Sequence, residues 1–154
     1  MEKKVTFEEI NLIAEKLAEI VKKDETIALI GDLGTGKTTF VKVFAKKIGI
    51  REIVKSPTFN IVHEYHSGSI PLFHFDVYRL ASSDELYEIG FDDYINNNGI
   101  KLIEWSDLIE QDVPEQYIEI KLFHNDDTSR IIDISYHGEK EREGEILGYV
   151  GLGN

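Results

Sequence analysis

Thr26-Ile27-Ala28-Leu29-Ile30-Gly31-Asp32-Leu33-Gly34-Thr35-Gly36-Lys37-Thr38-Thr39 is the stretch that decides the fold. Thr26 to Ile30 is a short apolar run suited to a strand buried on both faces. Gly31, Gly36, Lys37 and Thr38 satisfy the pattern G-x-x-x-x-G-K-[ST], and Thr39 to Ile48 has helical periodicity that Gly49 stops. Strand, glycine loop and helix thus follow in the order that a phosphate-cradling loop requires. Its glycines let successive backbone N–H groups point at one phosphate group. Lys37 adds a charge for the β- and γ-phosphates, and Thr38 offers its hydroxyl to magnesium. The bland alternative is a glycine-rich turn, against which the flanking strand and helix argue.

Upstream, Phe7, Ile10, Ile13, Ala14, Leu17, Ile20 and Val21 form one apolar stripe on a charged helix from Thr6 to Lys23. Thr6 and Glu9 make a capping box at its start. Downstream, Ser56-Pro57-Thr58-Phe59 punctuates the chain. Phe59 to Tyr65 and Ile70 to Tyr78 are rich in aromatic and β-branched residues around a Ser67-Gly68 turn, which predicts a hairpin. A short helix is expected from Ser82 or Ser83 to Glu88, a second helical piece to Asn96, and a buried strand from Ile100 to Glu104. Ser106 to Gln111 reads as a helical turn. Tyr117 to Phe123 and Arg130 to Tyr136 read as a closing hairpin around His124-Asn125-Asp126-Asp127. From Gly138 the chain is charged and glycine-rich, so residues 138–154 are expected to be a loosely ordered tail on a single domain spanning 1–154.

The 154 residues are 42% apolar and 30% charged, an ordinary globular composition. Acidic residues outnumber basic ones 29 to 17, a formal net charge of −12. A surface of that sign repels phosphate backbones, so a nucleic acid is expected to be met through a partner unless a local basic patch exists. The absence of cysteine excludes disulfides, thiolate metal sites and cysteine nucleophiles. Charged residues stand among the first ten positions where a signal peptide needs an apolar core, and no apolar run has the length of a membrane span, which leads to the expectation of a cytoplasmic protein without membrane association.

A phosphate loop holds a nucleotide but needs acids to hydrolyse it, and open α/β sheets bind ligands at the carboxyl ends of their strands. Asp76 ends the run Leu72-Phe73-His74-Phe75-Asp76, and Glu104 ends Ile100-Lys101-Leu102-Ile103-Glu104. A carboxylate so placed can hold magnesium, directly or through water, or orient the attacking water; otherwise it is a solvated strand end or a helix cap. Thr38, Asp76 and Glu104 are therefore the metal candidates, and Lys37, Asp76 and Glu104 the catalytic ones. Ser56 and Thr58 are candidates for a switch segment. His74 and Asp76 share a strand face, which invites a metal reading, although no third ligand has recognisable spacing. Tyr78 and Arg79 read as a phosphate or partner contact or an ordinary surface pair, and Trp105 as a stacking or core residue.

Taken in order, these motifs resemble the TsaE family over most of the chain. The resemblance is carried by the helix around Thr6, the loop Gly31 to Thr38, Ser56-Pro57-Thr58-Phe59, His74-Phe75-Asp76-Val77-Tyr78-Arg79-Leu80 and Ile103-Glu104-Trp105. It implies a weak ATPase, activated by TsaD and TsaB, that supports threonylcarbamoyladenosine modification of tRNA next to the anticodon, with tRNA met through the complex. ATP and Mg2+ are the implied cofactors. Lys37 and Thr38 carry over as phosphate and magnesium ligands, Asp76 as a magnesium-side acid, Glu104 as the second acid needed for hydrolysis, and Trp105 with its role open. The nucleotide-binding set is then Gly31, Asp32, Leu33, Gly34, Thr35, Gly36, Lys37, Thr38 and Thr39, with Thr6.

The expected fold is three-layered and P-loop NTPase-like, a mixed, mainly parallel-cored sheet with helices on both faces. Two other functions fit the loop. A small-molecule kinase usually needs an arginine-bearing lid, and no arginine lies between Arg79 and Arg130. A nucleotide-gated binding module would need the loop but not hydrolysis.

Overall fold

In the computed structural model the described residues are 1–32, 34–57, 61–77, 83–104 and 113–151. Thr26–Gly31 forms a central strand because five of its six residues are buried and it pairs in parallel on both sides. The elements run β1 (Glu2–Thr6), α1 (Phe7–Ile20), β2 (Thr26–Gly31), α2 (Lys37–Lys47), β3 (Val62–Tyr65), β4 (Leu72–Asp76), α3 (Ser83–Glu88), α4 (Phe91–Asn96), β5 (Ile100–Glu104), β6 (Tyr117–Asp126), β7 (Ser129–His137) and α5 (Lys140–Val150). The seven strands make one sheet in the order β1-β7-β6-β2-β5-β4-β3. Its core, β6-β2-β5-β4, is parallel, and the antiparallel pairs lie towards the two edges.

Strand alternation sends neighbouring residues to opposite faces, and each face is covered by helices. Leu72, Ile100, Leu102, Ile27 and Leu29 join α1, α2 and α5 in the larger core, through Leu17, Phe40, Phe44 and Ile146. Phe73, Phe75 and Ile103 pack on the other side against Leu86 of α3 and Phe91 of α4. The expected mixed sheet with a mainly parallel core and helices on both faces is therefore present. Among the described residues no helix is long and apolar enough to cross a membrane.

Three features depart from the sequence reading. β1 has no counterpart in it: only Val5 of its five residues is buried, so the strand lacks an apolar alternation and is defined by its pairing with β7. The charged Glu2, Lys3 and Lys4 suit an edge strand that must not recruit further strands. The predicted closing hairpin exists as β6 and β7, but β6 also lies beside β2 in parallel, which a hairpin signal cannot announce. The largest correction concerns residues 140–150, part of the stretch 138–154 expected to be loosely ordered. Lys140–Val150 is a helix, with Ile146 and Val150 buried in the larger core. Arg142 anchors it by donating from Nε to Glu25 Oε2 at 3.1 Å and from Nη2 to the Ile20 carbonyl at 2.9 Å. Apolar docking and a semi-buried ion pair override the poor helix propensity of Gly144 and Gly148.

Candidate functional site at the carboxyl ends of the parallel strands

The loop after β2 has its glycines where the backbone demands them. A Cβ on Gly31 would lie 2.7 Å from Thr35 Oγ1 and 2.9 Å from the Leu122 carbonyl oxygen. Gly36, the N-cap of α2, has φ of 108°, a region closed to most side-chain-bearing residues. Between them the chain turns tightly: Thr35 Oγ1 donates to the Asp32 carbonyl at 2.7 Å and its backbone N–H to the same oxygen at 3.3 Å. Lys37 is 6% exposed and folds back over the loop, where Nζ donates to the carbonyls of Gly31 and, at 3.1 Å, Asp32. The first turn of α2 carries no acid and no side-chain cap, so its partial positive charge is not offset locally. Thr38 is half-buried there, and Thr39 and Asp32 are exposed.

The two predicted acids come together at the same end of the sheet as this loop. Asp76 closes β4 and Glu104 closes β5, and the two are register partners on adjacent parallel strands. Glu104 is also in register with Leu29, two residues before the loop begins at Gly31. Asp76 is 8% and Glu104 2% exposed, which makes both acids part of a buried wall rather than solvated strand ends. Ser56 Oγ donates to Asp76 Oδ2 at 3.2 Å, bringing the predicted switch segment to this acid. The segment joins β4 by backbone as well, since Ile61 N–H donates to the Pro57 carbonyl and Asp76 N–H to that of Ile61. Ile61 has φ of 68°, a strained value for a β-branched residue, held by these bonds beside the acid.

His74, which shares a strand face with Asp76, has Glu104 as its hydrogen-bond partner. Its Nε2 lies 2.6 Å from Glu104 Oε2, and both side chains are buried. Among the described residues no group of three or more His, Cys, Asp or Glu side chains is arranged to hold a metal. The expectations for Leu33, Thr58, Tyr78, Arg79 and Trp105 lie outside the described residues.

Thr6 ends β1. It caps α1 in the capping box read from the sequence, accepting from Glu9 N–H at 3.1 Å while Glu9 Oε1 accepts from Thr6 N–H at the same distance. Its register partner is Ser129. The next residue, Arg130, places its guanidinium 4.8 Å above the Phe7 ring and donates from Nη2 to the Gly34 carbonyl at 3.4 Å. Sequence reading missed this bracing of the glycine loop by β7, because no local pattern links Arg130 to Gly34. A concavity of about 490 Å³ is lined by Lys42, Lys46 and Arg51 with the single acid Glu52 and the exposed Ile53, which leaves it with a positive excess.

Comparison with known proteins agrees with this architecture. The model of the family "Threonylcarbamoyl adenosine biosynthesis protein TsaE" matches residues 5–132. The tRNA threonylcarbamoyladenosine biosynthesis protein TsaE of Bacillus subtilis (strain 168) is 42% identical over 133 residues, covering 86% of this chain and 83% of the relative. The protein of that name from Rickettsia conorii is 36% identical over 145 residues, covering 93% and 82%. The crystal structure of YdiB from Bacillus subtilis superposes with a TM-score of 0.78 at 35% identity, covering 98% of this chain and 96% of that one. The chain, with its glycine loop and paired strand-end acids, belongs to the TsaE family of tRNA threonylcarbamoyladenosine biosynthesis proteins.

Proposed function

We propose that this protein is a weak magnesium-dependent ATPase that acts in the cytoplasm with TsaD and TsaB in threonylcarbamoyladenosine modification of tRNA, which it meets through that complex. The observation that carries the reading is the placement of Asp76 and Glu104, in register at the strand ends beside the loop that Gly31 opens and Lys37 covers. The donor set fits the nucleotide and its ion. The loop has backbone where a Cβ would collide, a buried lysine that donates to the loop's own carbonyl oxygens, and an uncapped helix start.

In this reading the N–H groups of 31–39 and the Lys37 ammonium hold the phosphates, with Thr6 at the outer flank of the nucleotide. Magnesium, when bound, neutralises charge on the phosphate oxygens during transfer. Thr38 Oγ1 and the Asp76 carboxylate would hold it, and Glu104 would orient the attacking water or serve as a further acid on the ion. Burial of both acids keeps bulk water from competing with these contacts. Ser56, bonded to Asp76, couples the segment leading to Thr58 to the state of the site, which makes it the element that a partner or the loss of a phosphate would move.

The test is ATP hydrolysis with and without magnesium, by the protein alone and with purified TsaD and TsaB. Slow turnover that rises with the partners is expected. ATP binding without hydrolysis in either setting would replace this reading with a nucleotide-gated binding module.

A further inference from the structure

We propose that His74 is a positioning residue for Glu104: a buried donor that fixes the direction in which this carboxylate faces the glycine loop. The proposal rests on Glu104 being the acid needed for hydrolysis. His74 sits in the middle of β4 opposite Leu102, and Glu104 lies two residues further along β5 on the same face. The imidazole therefore reaches forward and diagonally, and its Nε2–H donates to Glu104 Oε2 at 2.6 Å, with the side chains 0% and 3% exposed. Among the described residues it is the one group that donates to this carboxylate.

A glutamate at a strand end has three side-chain torsions, and its neighbour here is a second acid, Asp76, whose charge pushes it away. A donor placed behind it selects one rotamer and holds it against that repulsion. Such restraint is how supporting residues sharpen a reacting geometry. The ring meets a cost for being there. Among the described residues its buried Nδ1 has no hydrogen-bond partner, whereas an aliphatic residue would fill the same place beside Leu72 and Leu102 with no polar atom to satisfy. Packing alone thus disfavours histidine at this position, and the bond to Glu104 is what the residue contributes.

The experiment measures magnesium-dependent ATP hydrolysis by the full chain with TsaD and TsaB for His74→Met, His74→Leu, His74→Gln and Glu104→Gln, with melting temperatures alongside. The Met and Leu variants fill the space without a donor, and Gln restores an N–H of similar reach. The expected result is a fall in kcat of about tenfold or more for Met and Leu, as for the loss of other supporting residues. KM for ATP stays within about twofold, the melting temperature does not fall, and Gln recovers most of kcat. Parental kcat in Met and Leu alongside a Glu104→Gln variant that has lost activity would overturn the positioning role alone, and so would equal losses in Gln, Met and Leu. Parental hydrolysis by Glu104→Gln would overturn the assignment of Glu104 and this proposal with it.

Discussion

Asp76 and Glu104 stand abreast in register at the carboxyl ends of β4 and β5, both buried, so two like charges share the end of a sheet in an already acidic chain. Such an arrangement is electrostatically unfavourable without a cation. Replacing Asp76 by Asn is therefore expected to raise the melting temperature without magnesium while weakening the magnesium dependence of ATP binding. Thermal melts with and without the ion check this, and an unchanged magnesium dependence would remove Asp76 from the ion's ligands.

The two loop glycines are expected to fail for different reasons. Gly31→Ala drives a Cβ against the fixed Leu122 carbonyl as well as the movable Thr35 hydroxyl, an overpacking cost of about 2 kcal/mol. Gly36→Ala meets nothing within 4 Å, so it costs only its backbone strain, about 1–2 kcal/mol. Urea denaturation measures both penalties, and a Thr35→Ala background is expected to leave that of Gly31→Ala largely in place because the carbonyl remains.

Arg142 holds α5 to the residue preceding β2 through Glu25, and both side chains are mostly buried. Arg142→Leu leaves the Glu25 carboxylate without this cation and the Ile20 carbonyl without its donor, an expected loss of about 3 kcal/mol. Protection of the α5 amides in hydrogen exchange is expected to drop first.

Gly144 and Gly148 lie in α5 with open space where a Cβ would be. Each Gly→Ala change is expected to stabilise the protein by about 0.5–1 kcal/mol, as for exposed helix interiors. Melting temperatures of the single and double variants give the increments, and destabilisation would mean that this helix does not persist in solution.

At the β6–β7 turn, Asp126 accepts from Ser129 Oγ at 2.8 Å, Thr128 N–H at 2.9 Å and Thr128 Oγ1 at 3.1 Å. The Ser129 bond first, then the Thr128 backbone, lowers its pKa to about 2. A folded pKa below the unfolded value, near 3.9, means that its stabilisation is present above about pH 4 and is lost as pH falls towards 2. A carboxyl chemical-shift titration is expected to show this midpoint, and Asp126→Asn to remove its share of the acid sensitivity.

How much of this was legible follows from the range of each interaction. The unit from Thr26 to Lys47 is readable because strand burial, glycine spacing and helix periodicity all act within a few residues. The capping box of Thr6 and Glu9 is readable for the same reason. Asp76 and Glu104 are each recognisable as acids ending apolar strands, but their adjacency depends on β4 and β5 being neighbours in the sheet. The bond from His74 to Glu104 was not legible, because the two residues are 30 positions apart and meet only once β4 and β5 pair.

The sequence by itself determined the strand, glycine loop and helix and the acids worth suspecting, since those depend on local periodicity and on residue chemistry, and the family through the resemblance of its spaced motifs. Only the tertiary structure decided that β1 is a strand, that β6 lies against β2, that residues 140–150 form a helix and that His74 holds Glu104. Each of these is a contact between distant segments. It wins against weak local preference through buried apolar area and satisfied hydrogen bonds that exist only once the sheet has assembled.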